Sequence, residues 1–570
     1  MKLMRCLLVL QLALHAGVSL ASAESEAADA RHRAVDAIFE KFDRPGSPGA
    51  ALGIVRNGAV EYVRTYGSAD LENETPITQQ TMFDIASVSK QFTAYAVLLL
   101  ARDGKVNLEA DIREYLPYMP DYGWKITTRH LLQHTSGLRE QFRLLELAGH
   151  DERSPTSQQQ VLNLVKRQRA LNFEPGTQFE YCNTGYILLA EIVRAASGKS
   201  LRQFAQERIF EPLGMTHSLF YDDTGELIAH RAYSYERAGE NGPWRRFLDS
   251  YSYLGPTGVQ TTIGDLLKWA VNMARPRAGD AEIFQQMTTW GLLKDGTQFN
   301  YGMGLTPWEF AGERSVHHSG TIARFGLLFA HFPERDFSVA LLMNTDDGKY
   351  SYMDRVVAAY FDPDGSRRAA REQAAGFAEA RVKDSFLRAA AGDYMNPNDM
   401  MLSLVYRNGQ LFLQERGGEP VPVRFRKNGR FDGSYPQWRS YRLRERAGKI
   451  VGLEAYIDDR PMKYFERVVT TQWSAEEMTQ IAGRYFSDEV DSTVEITFDG
   501  RRLLASTIWM DQPTELYAVT PERFETDSAV LHAVLLDRDS QGRVSSIRID
   551  CYGGLKDLPM RRVDDSPANR

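Results

Sequence analysis

Cysteine is scarce. The 570-residue chain holds three, Cys6, Cys182 and Cys551, too few and too widely spaced for a disulfide scaffold. Basic runs are missing as well: with no stretch of five or more Lys or Arg and a net charge of -7, the chain lacks the electrostatic footprint of a nucleic-acid binder. Contents of 43% hydrophobic and 25% charged residues are ordinary for globular proteins and exclude disordered and fibrous classes. The N-terminal apolar stretch in MKLMRCLLVLQLALHAGVSLASAES is interrupted by Gln11, His15 and Gly17 and has no stop-transfer flank, which argues against a membrane anchor. Lys2 and Arg5, the apolar stretch, and the small-residue site Ala21-Ser22-Ala23 read instead as a secretory signal peptide over residues 1–23, with the mature chain starting at Glu24. No lipidation box surrounds Cys6. The expectation is a periplasmic or secreted protein with no integral membrane segment after cleavage.

The length predicts two or three compact units. Residues 24–361 alternate helical and strand-like patterns, an α+β or α/β signature. Ala50 to Gly67 predicts a hairpin turning at Asn57-Gly58, and Arg324 to Asn344 predicts two further strands, so sheet strands come from both ends of this unit. Residues 362–385 are charged and alanine-rich and read as a linker. The last third contains an internal repeat: AGDY at Ala391 to Tyr394 returns as AGRY at Ala482 to Tyr485, 91 positions later, each followed by short strand-like runs. Two small antiparallel β-barrels or sandwiches are expected, over 386–470 and 474–566.

Chemistry is suggested first by FDIASVSKQFTAY, Phe83 to Tyr95. On a helix Ser87 and Lys90 share a face, so the amine can reach the hydroxyl. Ser89 is rotated about 200° from Ser87, and its replacement by alanine should leave acylation largely intact. The apolar run that follows predicts a buried helix stopping near Gly104. A serine at a helix N-terminal turn sits among unpaired N–H groups that favour developing negative charge. The same pattern also suits a capping serine and a solvent-directed lysine. Short motifs further along have decoys, such as His15-Ala16-Gly17 for H-x-G and Tyr394-Met395-Asn396 for Y-x-N, so order and context must decide.

Reading on from Ser87, the chain gives LLQHTSGL (Leu131 to Leu138), FEPGTQFEYCNTGYILLAEIV (Phe173 to Val193), IFEPLGMTHS (Ile209 to Ser218), GPTGVQTTIGDLLKWA (Gly255 to Ala270), YGMGL (Tyr301 to Leu305) and HHSGTIARFG (His317 to Gly326). Over residues 45 to 350 this order resembles the penicillin-recognising serine hydrolases, in the branch of class C β-lactamases, D-alanyl-D-alanine carboxypeptidases, D-aminopeptidases and esterases. The resemblance implies an α+β catalytic domain, an antiparallel sheet flanked by helices with a helical subdomain, followed here by two β-barrel-like repeats. It places S-x-x-K on Ser87 and Lys90, Y-x-N on Tyr181 and Asn183, and the third motif on His318, Ser319 and Gly320. Ser87 would attack a carbonyl. Its proton would pass to Lys90 and Tyr181, whose ordinary pKa values near 10 would have to be lowered. Asn183 would hold a substrate amide, and the backbone N–H groups of Ser87 and Thr321 would form the oxyanion hole.

Neighbouring residues read as structural. His134 is expected to anchor a loop, since no carboxylate partner is evident in its pattern. The pair His317-His318 lacks a third metal ligand at matching spacing, and Cys182 is read as packing. No cofactor or metal is expected.

One departure bears on substrate. His318 stands where β-lactamases and transpeptidases carry lysine, whose charge anchors a substrate carboxylate, and histidine is largely neutral at pH 7. Such a histidine and a doubled barrel are similar to what D-aminopeptidases carry, in which a loop from the last barrel lines the active site. The expectation is therefore an acyl-enzyme hydrolase of small amides or esters, with D-amino-acid peptides preferred. Carboxylesterase or transesterase, DD-carboxypeptidase and β-lactamase activity remain open, as do a silent protein that binds peptidoglycan fragments, cell-wall binding by the barrels, and a homodimer.

Overall fold

The computed structural model describes residues 26–563 apart from 45, 152, 240–241, 249, 368–379, 397–400, 416–417, 433–438, 458–459 and 470–472. The expected signal peptide and the middle of the expected linker lie outside the described residues. The described residues form two compact units: one of residues within 26–110, 186–292 and 296–367, the other of residues within 111–185, 293–295 and 380–563. No helix among the described residues is long and apolar enough to cross a membrane.

The first unit is built on a six-stranded antiparallel sheet. Its N-terminal hairpin is β1 (Ala50–Arg56) and β2 (Ala59–Tyr66). The turn lies at Asn57 and Gly58, both at positive φ (54° and 74°), the combination that matches the twist of paired strands. Helix α1 (Lys90–Arg102) and helix α2 (Ile263–Ala274) follow. The chain then returns through β3 (Thr306–Phe310), β4 (Glu313–Ile322), β5 (Phe325–Phe332) and β6 (Phe337–Met343), closed by helix α3 (Lys349–Phe361). Strand order is β3-β4-β5-β6-β1-β2, so the two ends of the unit pair through β1 and β6. Every residue of β5 and β6 is buried, because both faces are covered; that is why these strands read as continuous apolar runs without alternation. One core joins Phe39, Leu52, Leu328, Leu341 and Val356. Another set of rings packs α1 on α2: Phe92 and Tyr95 lie 4.7 and 5.2 Å from Trp269, centroid to centroid.

The second unit combines short helices, among them Thr128–Leu132, Gln141–Leu147 and Gln158–Arg167, with the two repeats. The repeats share one local device. Each opens with a helix, Asp384–Ala390 or Ala475–Ile481, and a tyrosine on the next strand donates back to a carbonyl at its end. Tyr394 reaches Ala390 and Tyr485 reaches Ile481, both at 2.6 Å. Arg467 and Arg562 bond the equivalent carbonyls of Ala391 and Ala482, also at 2.6 Å. The sheets then differ. The first repeat is a nine-stranded sheet whose edges, Val421–Pro422 and Arg424–Phe425, are separated in sequence by Val423 alone, so the sheet curls nearly shut. The second is a closed eight-stranded barrel, in which Gly483–Ser487 pairs with Leu555–Val563 and no free edge remains.

Candidate active site

Ser87 lies in a 3-10 turn, Ala86–Ser89, that runs directly into α1. The difference from a simple helical start has a local cause. Ala86 sits at φ 47°, a conformation that costs free energy in a residue other than glycine, and its N–H is held by Asp84 Oδ1 at 2.7 Å. In a 3-10 turn residues three apart eclipse, and Lys90 Nζ comes 3.0 Å from Ser87 Oγ. Lys90 is fully buried. Its amine also donates to the Pro256 carbonyl at 3.0 Å and lies 5.5 Å from the centre of the Tyr186 ring. A carbonyl can only accept, so this bond takes one amine hydrogen and fixes the amine in place beside Ser87 Oγ. Ser89 is also buried, and its hydroxyl accepts the Val259 N–H at 3.1 Å; it ties the Pro256 loop to the turn.

β4 supplies the third motif, and strand alternation divides it. His318 and Gly320 face the Ala86–Ser89 turn, where Gly320 packs on Ile85, Ala86 and Ser87. The side chains of Ser319 and Thr321 engage α3: Tyr350 O–H donates to Ser319 Oγ at 2.7 Å, and the Lys349 ammonium donates to Thr321 Oγ1 at 2.6 Å and to Asp346 at 2.7 Å. His318 Nδ1 donates to the Ser319 carbonyl at 2.7 Å, so Nε2 is the acceptor for Tyr301 O–H at 3.1 Å. His317 is bound elsewhere, through Nδ1 to the Thr306 carbonyl at 3.2 Å. Among the described residues no group of three or more His, Cys, Asp or Glu is placed to hold a metal ion.

Burial, reinforced by the charge of Lys90, brings the His318 pKa down to about 3. Burial likewise brings His317 and His331 to about 4, against the pull of the Thr306 carbonyl on the first and of Asp336 on the second. All three lie on β4 and β5. Their folded-state values fall below the ordinary 6.5, so the unfolded chain binds more protons in between. Their contribution to stability is complete above about pH 6.5 and is lost as pH falls toward 4 and 3. Each should cost about 1.4 kcal/mol per pH unit within that window. Urea unfolding at pH 7, 6 and 5 should show this acid slope, and His331→Gln should remove one proton from it. An unchanged slope in that variant would count against a buried neutral His331.

Tyr181 and Asn183 belong to the second unit. The Tyr181 ring is 36% exposed and stands 4.2 Å, centroid to centroid, from the ring of His134. His134 is buried and accepts the Cys182 N–H on Nδ1 at 3.0 Å, which makes it the expected loop anchor. Cys182 is buried, with Sγ on the Leu138 carbonyl at 3.3 Å, and burial raises its thiol pKa well above the ordinary value. Asn183 opens the helix Asn183–Ser197. Its backbone N–H and its Nδ2 donate to the two carboxylate oxygens of Glu140 at 2.6 and 2.8 Å.

Pro256, Tyr301 and Glu140 escaped the sequence reading. Pro256 and Tyr301 lie inside stretches noted only as context, GPTG and YGMGL. Glu140, two residues beyond LLQHTSGL, has no local pattern to mark it.

The beta-lactamase family model matches residues 35–360. A D-aminopeptidase of Brucella canis is 26% identical over 528 residues, covering 89% of this chain and 94% of that protein. A D-aminopeptidase of Brucella anthropi is 30% identical over 305 residues, 53% of this chain and 57% of that protein. Among solved structures, the octameric penicillin-binding protein homologue from Pyrococcus abyssi shares the fold with a TM-score of 0.53 at 23% identity, covering 75% of this chain and 97% of its own. With the family's motifs in order and its model matched over more than half the length, the chain belongs to the beta-lactamase family and is a serine hydrolase.

Proposed function

We propose that this protein is exported and hydrolyses small amide or ester bonds through an acyl-enzyme on Ser87, with D-amino-acid peptides or amides as its preferred substrates. The observation that carries the mechanism is the buried Lys90 amine 3.0 Å from Ser87 Oγ. The Oγ–carbonyl carbon bond forms as the Oγ proton moves to the relay of Lys90 and Tyr181. Collapse of the tetrahedral intermediate breaks the C–N or C–O bond, and the same proton leaves on the amine or alcohol. Water, deprotonated by the relay, then attacks the carbonyl carbon of the ester on Ser87; the carbon–Oγ bond breaks, Oγ takes the proton back from the relay, and the acid is released. The D-aminopeptidase names of the relatives support the substrate class. So does a neutral His318, which gives no cation to a substrate carboxylate at the position where β-lactamases have lysine; the Lys349 ammonium nearby is matched by Asp346.

One panel tests the reading: D- and L-aminoacyl anilides, short-chain nitrophenyl esters, a D-alanyl-D-alanine peptide and a chromogenic cephalosporin. The D-aminoacyl anilide should be turned over at least about tenfold faster, in kcat/KM, than its L-isomer and than the cephalosporin. Equal rates on the two isomers would remove the D-peptide assignment, and turnover of esters alone would make the protein an esterase. A fluorophosphonate should leave one mass adduct on Ser87, and its absence would favour the silent, fragment-binding alternative. The same spectrum reports whether the exported chain begins at Glu24.

A further inference from the structure

We propose that Glu140 is the positioning residue for Asn183, and that the Tyr552–Gly554 turn of the C-terminal eight-stranded barrel holds Glu140 in place for that task. The proposal rests on the reading of Asn183 as a substrate contact. All of its parts lie in the second unit. The turn joins strands Val544–Cys551 and Leu555–Val563. The Gly554 carbonyl accepts the Glu140 N–H at 2.7 Å and an Asn172 Nδ2 hydrogen at 2.9 Å. Asn172 in turn accepts the Lys556 N–H at 2.9 Å and donates to Glu180, the neighbour of Tyr181, at 3.1 Å. The barrel thus braces the Y-x-N segment on both sides. It is itself anchored by the buried Arg139 guanidinium, which donates to Glu489 at 2.7 Å and to the Lys556 carbonyl at 3.0 Å.

The approach is close. Gly554 lies at φ 113°, and a Cβ there would stand 2.9 Å from Glu140 Cβ. Glu140 is 5% exposed, so its carboxylate has little freedom to follow another partner. It accepts from both the backbone and the side chain of Asn183. A carboxylate offers only acceptors, so the amide end that faces it must be Nδ2, and the orientation of the Asn183 amide toward substrate follows from that. A carboxylate at a helix N-terminus is also an ordinary cap. The bond to Nδ2 is what a cap alone does not require.

The test uses the full-length protein and a D-alanine anilide. Asn183→Ala, Glu140→Gln and Gly554→Ala are compared, the last two also in the Asn183→Ala background, with the rate of fluorophosphonate labelling of Ser87 measured in each. Glutamine meets one of the two Asn183 donors with a donor of its own. Glu140→Gln should lower kcat/KM about 10- to 100-fold and Gly554→Ala about 10-fold, with neither adding to the loss once Asn183 is alanine. The fluorophosphonate has no amide for Asn183 to hold and should label Ser87 within about threefold of the native rate in both. Native kcat/KM in Glu140→Gln, losses that multiply with that of Asn183→Ala, or labelling that falls in step with turnover would each overturn the positioning role. If Glu140→Gln does not fold, Glu140→Asp, which keeps the carboxylate one methylene short, replaces it. The underlying functional reading fails by a different sign, full activity in Asn183→Ala or no adduct on native Ser87, and the clamp falls with it.

Discussion

Ser87→Ala is expected to lower kcat/KM about 10⁴-fold or more on whichever amide or ester the native protein hydrolyses, and to abolish the fluorophosphonate adduct. The magnitude follows from the chemistry: without Oγ there is no covalent intermediate, and only binding and oxyanion stabilisation remain to favour direct attack by water. The structure makes Ser87 the residue to remove. Its hydroxyl is the partner of a buried lysine, whereas Ser89, two residues on, has its hydroxyl on the Val259 N–H. Loss should appear in kcat with KM little changed, as for a group whose interaction arises in the transition state. Comparable turnover by native and variant protein, on the same substrate and free of contaminating hydrolase, would end the acyl-enzyme reading.

Gly320→Ala should also be strongly damaging, though less than the loss of Ser87 Oγ, while removing no reactive atom. A Cβ at this position would lie 2.7 Å from the Ile85 carbonyl oxygen, 2.8 Å from Ala86 Cβ and 3.0 Å from Ser87 N. None of these atoms belongs to a flexible side chain that can swing aside. Ala86 already occupies a strained conformation and Gly320 is fixed by its pairing with Leu327, so relief comes from displacing the Ser87 turn or parting β4 from it. A shift of a few tenths of an ångström at Ser87 N moves both Ser87 Oγ, the proposed attacking atom, and the N–H assigned to the oxyanion. We expect kcat to fall about 10²- to 10³-fold and stability to fall by about 1–3 kcal/mol, as overpacking commonly costs. Burst kinetics on a nitrophenyl ester and urea unfolding separate the two effects. A variant with kcat within twofold of native would show that the turn tolerates the methyl group.

Both predictions concern the same small contact, yet the two residues were unequally legible. Ser87 and Lys90 are three apart, and local backbone periodicity alone brings such side chains together; their meeting survived even though the turn is 3-10 where a helical start was expected. Gly320 was readable only as the last letter of a family motif. Its physical task, letting a strand approach the turn before α1, depends on packing between segments more than two hundred positions apart. The same division explains the histidines. That His318 would be mostly neutral followed from its type, while the depth of its burial and the Tyr301 bond that fixes its tautomer depend on the assembled sheet.

The sequence by itself determined what short-range physics encodes: the Asn57-Gly58 hairpin, the buried helix after Lys90, the doubled AGDY and AGRY repeats with their tyrosines, and the order of motifs that marks the family. Tertiary structure alone decided which partners those elements find. It put the Lys90 amine on the Pro256 carbonyl, sent the side chains of Ser319 and Thr321 to α3, closed the second repeat into a barrel while leaving the first a nine-stranded sheet with adjoining edges, and set Glu140 between Asn183 and Gly554. The reason is physical: side-chain spacing along one element follows from backbone geometry, whereas hydrogen-bond partners far apart in sequence are chosen by how whole elements pack.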